Sequence, residues 1–240
     1  MSEEIALGET LKAAAENNAA AAQSAETQAK LVELGLTGGG GGGESVDLEP
    51  WRVGWEADRT SIVELEIPSG VTKIGEGAFK ECGALKRLTI PNGVITIGNY
   101  AFYKCGNVVT INIADDVEII GNWAFQLCPN LLSLKLPSNK TKNTVIGDYA
   151  FGYCNTLQTL IIPEGVNVIG AYAFQYCFDL TTLELPSSIY GIRKGAFEGC
   201  PASCNIKFNK SMDDVSAMVN YPWGITSGAV IKCTDGDLTV

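Results

Sequence analysis

This 240-residue chain has eight cysteines and no histidine, and these two features limit the chemistry that it could perform. Without histidine, Ser-His-Asp and Cys-His nucleophilic sites are impossible, and the commonest general base and metal ligand is missing. The acidic pairs Asp115-Asp116 and Asp213-Asp214 are adjacent in sequence, whereas glycosidase carboxylates must face each other across a cleft. We therefore expect a protein that is not an enzyme, with no catalytic residues and no cofactor.

Six of the cysteines occupy one fixed place in an internal repeat, and two lie outside it. The six are Cys82, Cys105, Cys128, Cys154, Cys177 and Cys200. They lack the two-to-four-residue spacing of a metal site, and stacked copies would hold their Cβ vectors parallel, which suits disulfide geometry poorly. A buried ladder of free thiols, with no metal, is therefore expected. For Cys204 and Cys233, a disulfide and two free thiols both remain open.

The repeat itself predicts the architecture. Ala-Phe pairs recur at steps of 23, 23, 26, 23 and 23 residues, and each Phe precedes its cysteine by three positions. The unit reads C-x-x-L-x-x-L-x-I-P-x-x-V-x-x-I-G-x-x-A-F. Self-similarity with this period predicts a solenoid, because a single unit buries too little apolar surface to fold alone. Alternating apolar and polar residues before the Pro predict a short parallel strand, and the spacing around Ala-Phe predicts a short helical turn.

This unit resembles the leucine-rich repeats of the BspA type. The resemblance lies in the strand ends Leu65–Pro68, Leu88–Pro91, Leu160–Pro163 and Leu183–Pro186, and in the Ile-Gly-x-x-Ala-Phe-x-x-Cys halves, over about residues 61–208. Ala114 replaces the strand-ending Pro in one unit, and residues 140–143 lie in the unit that is three residues longer. The resemblance implies an α/β fold, a curved right-handed leucine-rich-repeat solenoid that binds proteins or glycans without catalytic activity.

Composition divides the chain into four parts. Residues 1–37 are Ala-rich and lack Pro, which predicts a helix whose thin apolar seam could form a coiled coil, with a partly disordered tail as the alternative. Residues 38–43 are six glycines and form a flexible linker. Residues 44–208 hold the repeat domain with its N-terminal cap. Residues 209–240 are expected to be a C-terminal cap made of a helix and a hairpin.

Two sets of residues are candidates for binding. The outward strand positions form a polar surface at Arg87, Thr89, Thr110, Asn112, Ser133, Lys135, Thr159, Thr182 and Glu184. A broad sheet rich in hydroxyls and amides, on the concave face of the solenoid, suits recognition of a protein or glycan, although an ordinary solvated sheet has the same composition. The second set is an aromatic ladder of Tyr100, Trp123, Tyr149 and Tyr172. It would offer a platform for sugar rings or a partner's apolar patch, or simply shield the turns.

Charge narrows the range of partners. A net charge of −10 disfavours nucleic acid and anionic membrane surfaces, and no apolar run is long enough for membrane insertion. The acidic N-terminus does not match a signal peptide. The expected function is a binding module at a bacterial or virion surface, in an extracellular, cell-surface or virion-associated location, as a homo-oligomer formed through residues 1–37. The alternative is a purely structural component of a phage tail or cell surface.

Overall fold

A computed structural model describes residues 46–48, 60, 62–65, 67 and 70–240. Within them the chain forms short strands and one helix. Numbered in chain order, the strands are β1 Val46–Leu48, β2 Glu64–Leu65, β3 Val71–Ile74, β4 Arg87–Ile90, β5 Thr96–Ile97, β6 Thr110–Ile113, β7 Ile119–Ile120, β8 Ser133–Lys135, β9 Thr144–Ile146, β10 Thr159–Ile161, β11 Val166–Ile169, β12 Thr182–Leu185, β13 Gly191–Ile192, β14 Asn205–Phe208, β15 Val230–Lys232 and β16 Asp237–Thr239, and the helix is α1 Met212–Ser216.

Each coil of the solenoid contributes two strands rather than the single strand expected. The second strand of every coil joins a seven-stranded parallel sheet in the order β1-β3-β5-β7-β9-β11-β13, called here the Val-Ile sheet. The first strands form a four-stranded sheet, β2-β4-β6-β8, and a five-stranded sheet, β10-β12-β14-β15-β16. The outward surface of these two sheets is called the Leu-Ile face. Only β15 and β16 pair antiparallel among the described strands.

The alternation read from the sequence places the strand residues correctly. In β4 the side chains of Leu88 and Ile90 are buried, whereas Arg87 and Thr89 are exposed. Successive side chains of a strand point to opposite faces, so one face of β4 enters the core and the other meets solvent. The prediction of inward and outward positions is confirmed for this strand and its counterparts β6 and β14.

The helical turns expected at Ala-Phe are wrong. Tyr100 and Lys104, on either side of Ala101-Phe102, have left-handed backbones with φ of 57° and 59°. The N–H of Tyr100 donates to the carbonyl of Asn122 in the next coil (3.0 Å), and that of Phe102 to the carbonyl of Ala124 (2.7 Å). In a helix both N–H groups would bond within their own coil. Hydrogen bonding between coils therefore takes the place of helix formation.

The core is a continuous column shared by all coils. Six phenylalanines, one from each Ala-Phe pair, stack along it with ring centroids 5.0 to 5.9 Å apart. Each such contact contributes about 0.5–1.5 kcal/mol beyond burial. The repeat cysteines lie beside this stack as buried free thiols, in agreement with the expected ladder. Five of them donate an S–H to the Phe carbonyl of the preceding coil, with S···O distances of 3.3 to 3.8 Å.

The C-terminal segment packs on the last coil. Its helix is limited to the five residues of α1, where Ser211 Oγ accepts the N–H of Asp214 at 3.2 Å. The β15–β16 hairpin extends the five-stranded sheet. Trp223 is buried, and its carbonyl accepts the N–H of Phe197 at 3.1 Å, which closes the stack of turns. Cys204 and Cys233 are free thiols here rather than a disulfide.

The first two parts of the chain fall outside this description. The helix expected over residues 1–37 and the linker at 38–43 lie outside the described residues. The domain boundaries therefore remain predictions. No helix in the described residues is long and apolar enough to cross a bilayer.

Candidate functional site

Strand register brings the predicted polar residues into contact on the Leu-Ile face. Thr110 lies opposite Arg87 on one side and Ser133 on the other, and Asn112 likewise lies between Thr89 and Lys135. Parallel neighbours are about 4.8 Å apart, so these side chains form two adjacent rows. The result is a polar patch on the four-stranded sheet.

The remaining predicted residues lie on the other sheet. Thr159 pairs with Thr182, and Glu184 pairs with Lys207 of β14. No strand pairing joins β8 to β10, so the hydrogen-bonded sheet is interrupted there, although the two strands remain in contact. The break coincides with the longer step of the repeat, because Ser133 and Thr159 are 26 residues apart instead of 23.

Apolar side chains flank this break. Leu132 is 55 % exposed and Ile161 is 52 % exposed, whereas most outward positions on this face are polar. Leu134 is only partly buried, although its counterparts Leu88 and Leu160 are buried. The Leu-Ile face thus carries an exposed apolar side chain on each side of this break in strand pairing, Leu132 and Ile161, which sequence reasoning did not identify.

Carboxylates fix the loops that follow the strands of this face. Asp115 accepts both the N–H and the hydroxyl of Ser138 in the next coil, at 2.9 and 3.0 Å. The N–H and then the hydroxyl of Ser138 lower the pKa of Asp115. Desolvation raises the pKa of Glu164, but hydrogen bonds from Ser187 and Ser188 outweigh it, so the pKa is lowered overall. Both groups therefore serve to hold neighbouring coils in register.

The aromatic ladder is present, but its rings face one another. Successive centroids of Tyr100, Trp123, Tyr149 and Tyr172 are 4.9, 5.8 and 5.0 Å apart, with interplanar angles of 3°, 5° and 17°. Rings stacked this way present edges rather than faces to solvent. At the far end, a Cβ on Gly195 would lie 2.3 Å from Tyr172 Cε1, so the last ring covers Gly195. Desolvation, followed by the neighbouring Tyr172, raises the pKa of Tyr149.

The thiols are protected rather than reactive. Burial raises the pKa of Cys128 and of Cys200 to about 12. A hydrogen bond with the Cys82 thiol and burial raise the pKa of Cys105. Since the thiolate is the nucleophile and the metal ligand, such thiols are inert at neutral pH. Among the described residues no group of three or more His, Cys, Asp or Glu side chains could hold a metal ion.

Comparison with known protein families identifies the family of this repeat. A model of the BspA type leucine-rich repeat region, with six copies, matches residues 57–144 and 140–222. This chain belongs to the BspA-type leucine-rich repeat family. No curated protein matches it.

Solved structures of bacterial leucine-rich repeat proteins are similar to this BspA-type chain. One from Eubacterium ventriosum is 28 % identical, with a TM-score of 0.54, over 73 % of this chain and 41 % of that one. One from T. pallidum is 28 % identical, with a TM-score of 0.45, over 51 % and 57 % of the two chains. A leucine-rich cell surface protein from Faecalibacterium prausnitzii is 25 % identical, with a TM-score of 0.45, over 61 % and 45 %. In these three comparisons the alignment spans 41 to 57 % of the other protein's length.

A second aromatic group lies near the ladder in this BspA-type solenoid. Tyr153 and Tyr176 meet edge-on at 4.9 Å, and Tyr176 stacks on the half-exposed Phe178 at 5.4 Å. Tyr153 and Tyr176 share one repeat position, two after the Phe, where the backbone is left-handed. Reading the repeat column by column for aromatics would have found the pair.

Proposed function

We propose that this protein is a non-enzymatic recognition module that binds a protein or glycan surface through its Leu-Ile face. Leucine-rich repeat proteins generally bind proteins or are surface-associated, and a cell-surface protein is among the similar structures. The observation that supports the proposal best is the row structure of this face, in which Thr110, Ser133, Thr159 and Thr182 carry hydroxyls at one repeat position. Such rows give many weak hydrogen bonds over a wide area, as macromolecular recognition requires.

Placement at a bacterial or virion surface belongs to the same proposal. Oligomerisation through residues 1–37 would multiply weak contacts into avidity. Sedimentation of the full chain tests that part, since a monomer at micromolar concentration leaves no basis for avidity. The variant Leu7→Lys/Leu11→Lys is the matched comparison, because two charges in an apolar seam should dissociate the oligomer.

Binding of the full chain to arrayed glycans and to bacterial and host cell surfaces tests the recognition itself. The double variant Thr110→Glu/Thr159→Glu places a carboxylate on each Leu-Ile sheet and should weaken binding at least tenfold. The control is Tyr190→Glu, next to the Val-Ile sheet, where the side chain is 72 % exposed. Equal binding by both variants would move the interface off the Leu-Ile face. Absence of binding to every surface would favour the purely structural component.

A further inference from the structure

A cavity of about 360 Å³ lies at the corner between the Val-Ile sheet and the first turns. Its wall includes Lys73, Glu76, Thr96, Asn99 and the exposed Ile119. Ligand pockets in proteins have volumes of roughly 300–1,000 Å³, so this space suits one small ring. The cavity lies on a different sheet from the Leu-Ile face, and a ligand here would be independent of the proposed interface.

The floor of the cavity is bare backbone. Gly98 and Gly121 line it, and a Cβ added to Gly121 would lie 2.6 Å from the carbonyl carbon of Gly98. Adjacent coils therefore approach here more closely than any side chain permits. A ligand in the cavity would meet backbone below it and side chains around it.

The rim offers polar groups that are not used elsewhere. In the described part of the chain, neither the Glu76 carboxylate nor the Thr96 hydroxyl makes a hydrogen bond. Farther along the sheet, the positions equivalent to Thr96 are Ile119, Val145 and Val168, which carry no polar group. The hydroxyl of Thr96 is thus specific to the first coils at this position of the sheet.

The aromatic ladder begins next to a residue that lines the cavity. Asn99 lines the cavity and precedes Tyr100, the first ring of the ladder. The ladder position in the coil before Tyr100 is Gly77, and a Cβ built there meets nothing within 4 Å. Among the described residues, Tyr100 therefore has no ladder ring on that side. Tyr103 stands nearly perpendicular to Tyr100, at 80° and 5.6 Å, so the two rings form a corner.

We propose that this corner binds a short glycan, with one pyranose ring in the cavity and the next on Tyr100. A pyranose carries hydroxyls around its edge and C–H bonds on its faces. The hydroxyls match Glu76 and Thr96, and the C–H faces match Ile119 and the ring of Tyr100. The chain thus holds a saccharide site distinct from its macromolecular recognition surface.

Saturation-transfer NMR on the full chain tests the site, using millimolar methyl pyranosides and their β-linked disaccharides as probes. At least one disaccharide should give a signal that Gly77→Tyr reduces at least fivefold, because a tyrosine there would complete the ladder and cover Tyr100. That variant should fold, since tyrosines adopt φ of 57° at this repeat position and Gly77 already has φ of 62°. Thr96→Val should reduce the signal as well.

The matched control is Tyr172→Leu at the other end of the ladder. Tyr172 stacks on one ladder ring, as Tyr100 does, but its outer face covers Gly195. Its replacement should leave saccharide binding unchanged. The proposal is overturned if no probe binds, if Gly77→Tyr binds as the native chain does, or if Tyr172→Leu loses the signal equally. Binding at the Leu-Ile face can persist in every one of these cases.

Discussion

The column of buried thiols should make the fold sensitive to alkali. Five thiols of the column have a pKa raised in the folded state. They are Cys105, Cys128, Cys154, Cys177 and Cys200. Such a thiol stays protonated in the folded state but ionises once unfolding exposes it. Its contribution to the unfolding free energy is complete below the pKa of the exposed thiol and is lost as pH rises from there towards the folded pKa.

The size of this loss in unfolding free energy follows from the pKa values of the thiols in the unfolded and folded states. The ordinary thiol value is 9.0, and the folded value reaches about 12 for Cys128 and Cys200. At pH 10 an exposed thiol is mostly ionised, so each buried one costs the fold about 1.4 kcal/mol relative to pH 8. Five such thiols together remove about 7 kcal/mol, against a total stability of about 5–15 kcal/mol for a domain.

Urea unfolding followed by circular dichroism between pH 8 and pH 10, with a reductant present, measures this loss. The five thiols of the column should contribute about five protons to the slope of unfolding free energy against pH at the upper end, and Cys204, whose pKa burial raises to about 11, adds to that slope. Cys154→Ala is the internal control, because it should reduce the slope by about one proton even though the variant is less stable at every pH. A flat profile, or the same slope in the native chain and Cys154→Ala, would refute the burial of ionisable thiols in the fold.

The repeat period was sufficient to predict most of the fold from the sequence, because such short units can bury their apolar residues only by stacking. Leu88 and Ile90 illustrate this, since their alternation with polar neighbours was sufficient to assign the core side of the strand. The polar residues of the candidate site followed from the same alternation. Their division between two sheets did not, because strand pairing depends on the spacing of coils in three dimensions.

The prediction of helical turns at the Ala-Phe pairs is wrong for a local reason. Left-handed conformations cost an ordinary residue about 1–2 kcal/mol, so a tyrosine such as Tyr100 argues against one by propensity alone. The cost is offset here by hydrogen bonds to the next coil and by stacking on Trp123. Both gains exist only once coils are stacked. The row of aromatic residues could likewise be predicted from the sequence. That their rings stack face to face, and so leave only their edges to solvent, could not.

The tight approach of coils and the carboxylate links between them give two more predictions. Gly121→Ala should lower the unfolding free energy by about 3 kcal/mol or more in urea titrations, since its Cβ would overlap the backbone of Gly98 and overpacking against fixed atoms is not relieved. Gly106→Ala is the control and should be tolerated, because its Cβ meets nothing within 4 Å, and equal losses would show that the corner is not closely packed. Asp115 has a depressed pKa, so its contribution is present above the unfolded value of 3.8 and is lost as pH falls through the folded value. NMR titration should find the Asp115 pKa below 3.8 and raised by Ser138→Ala, which removes the hydroxyl donor, and an unchanged pKa in that variant would mean that the link between coils is not formed.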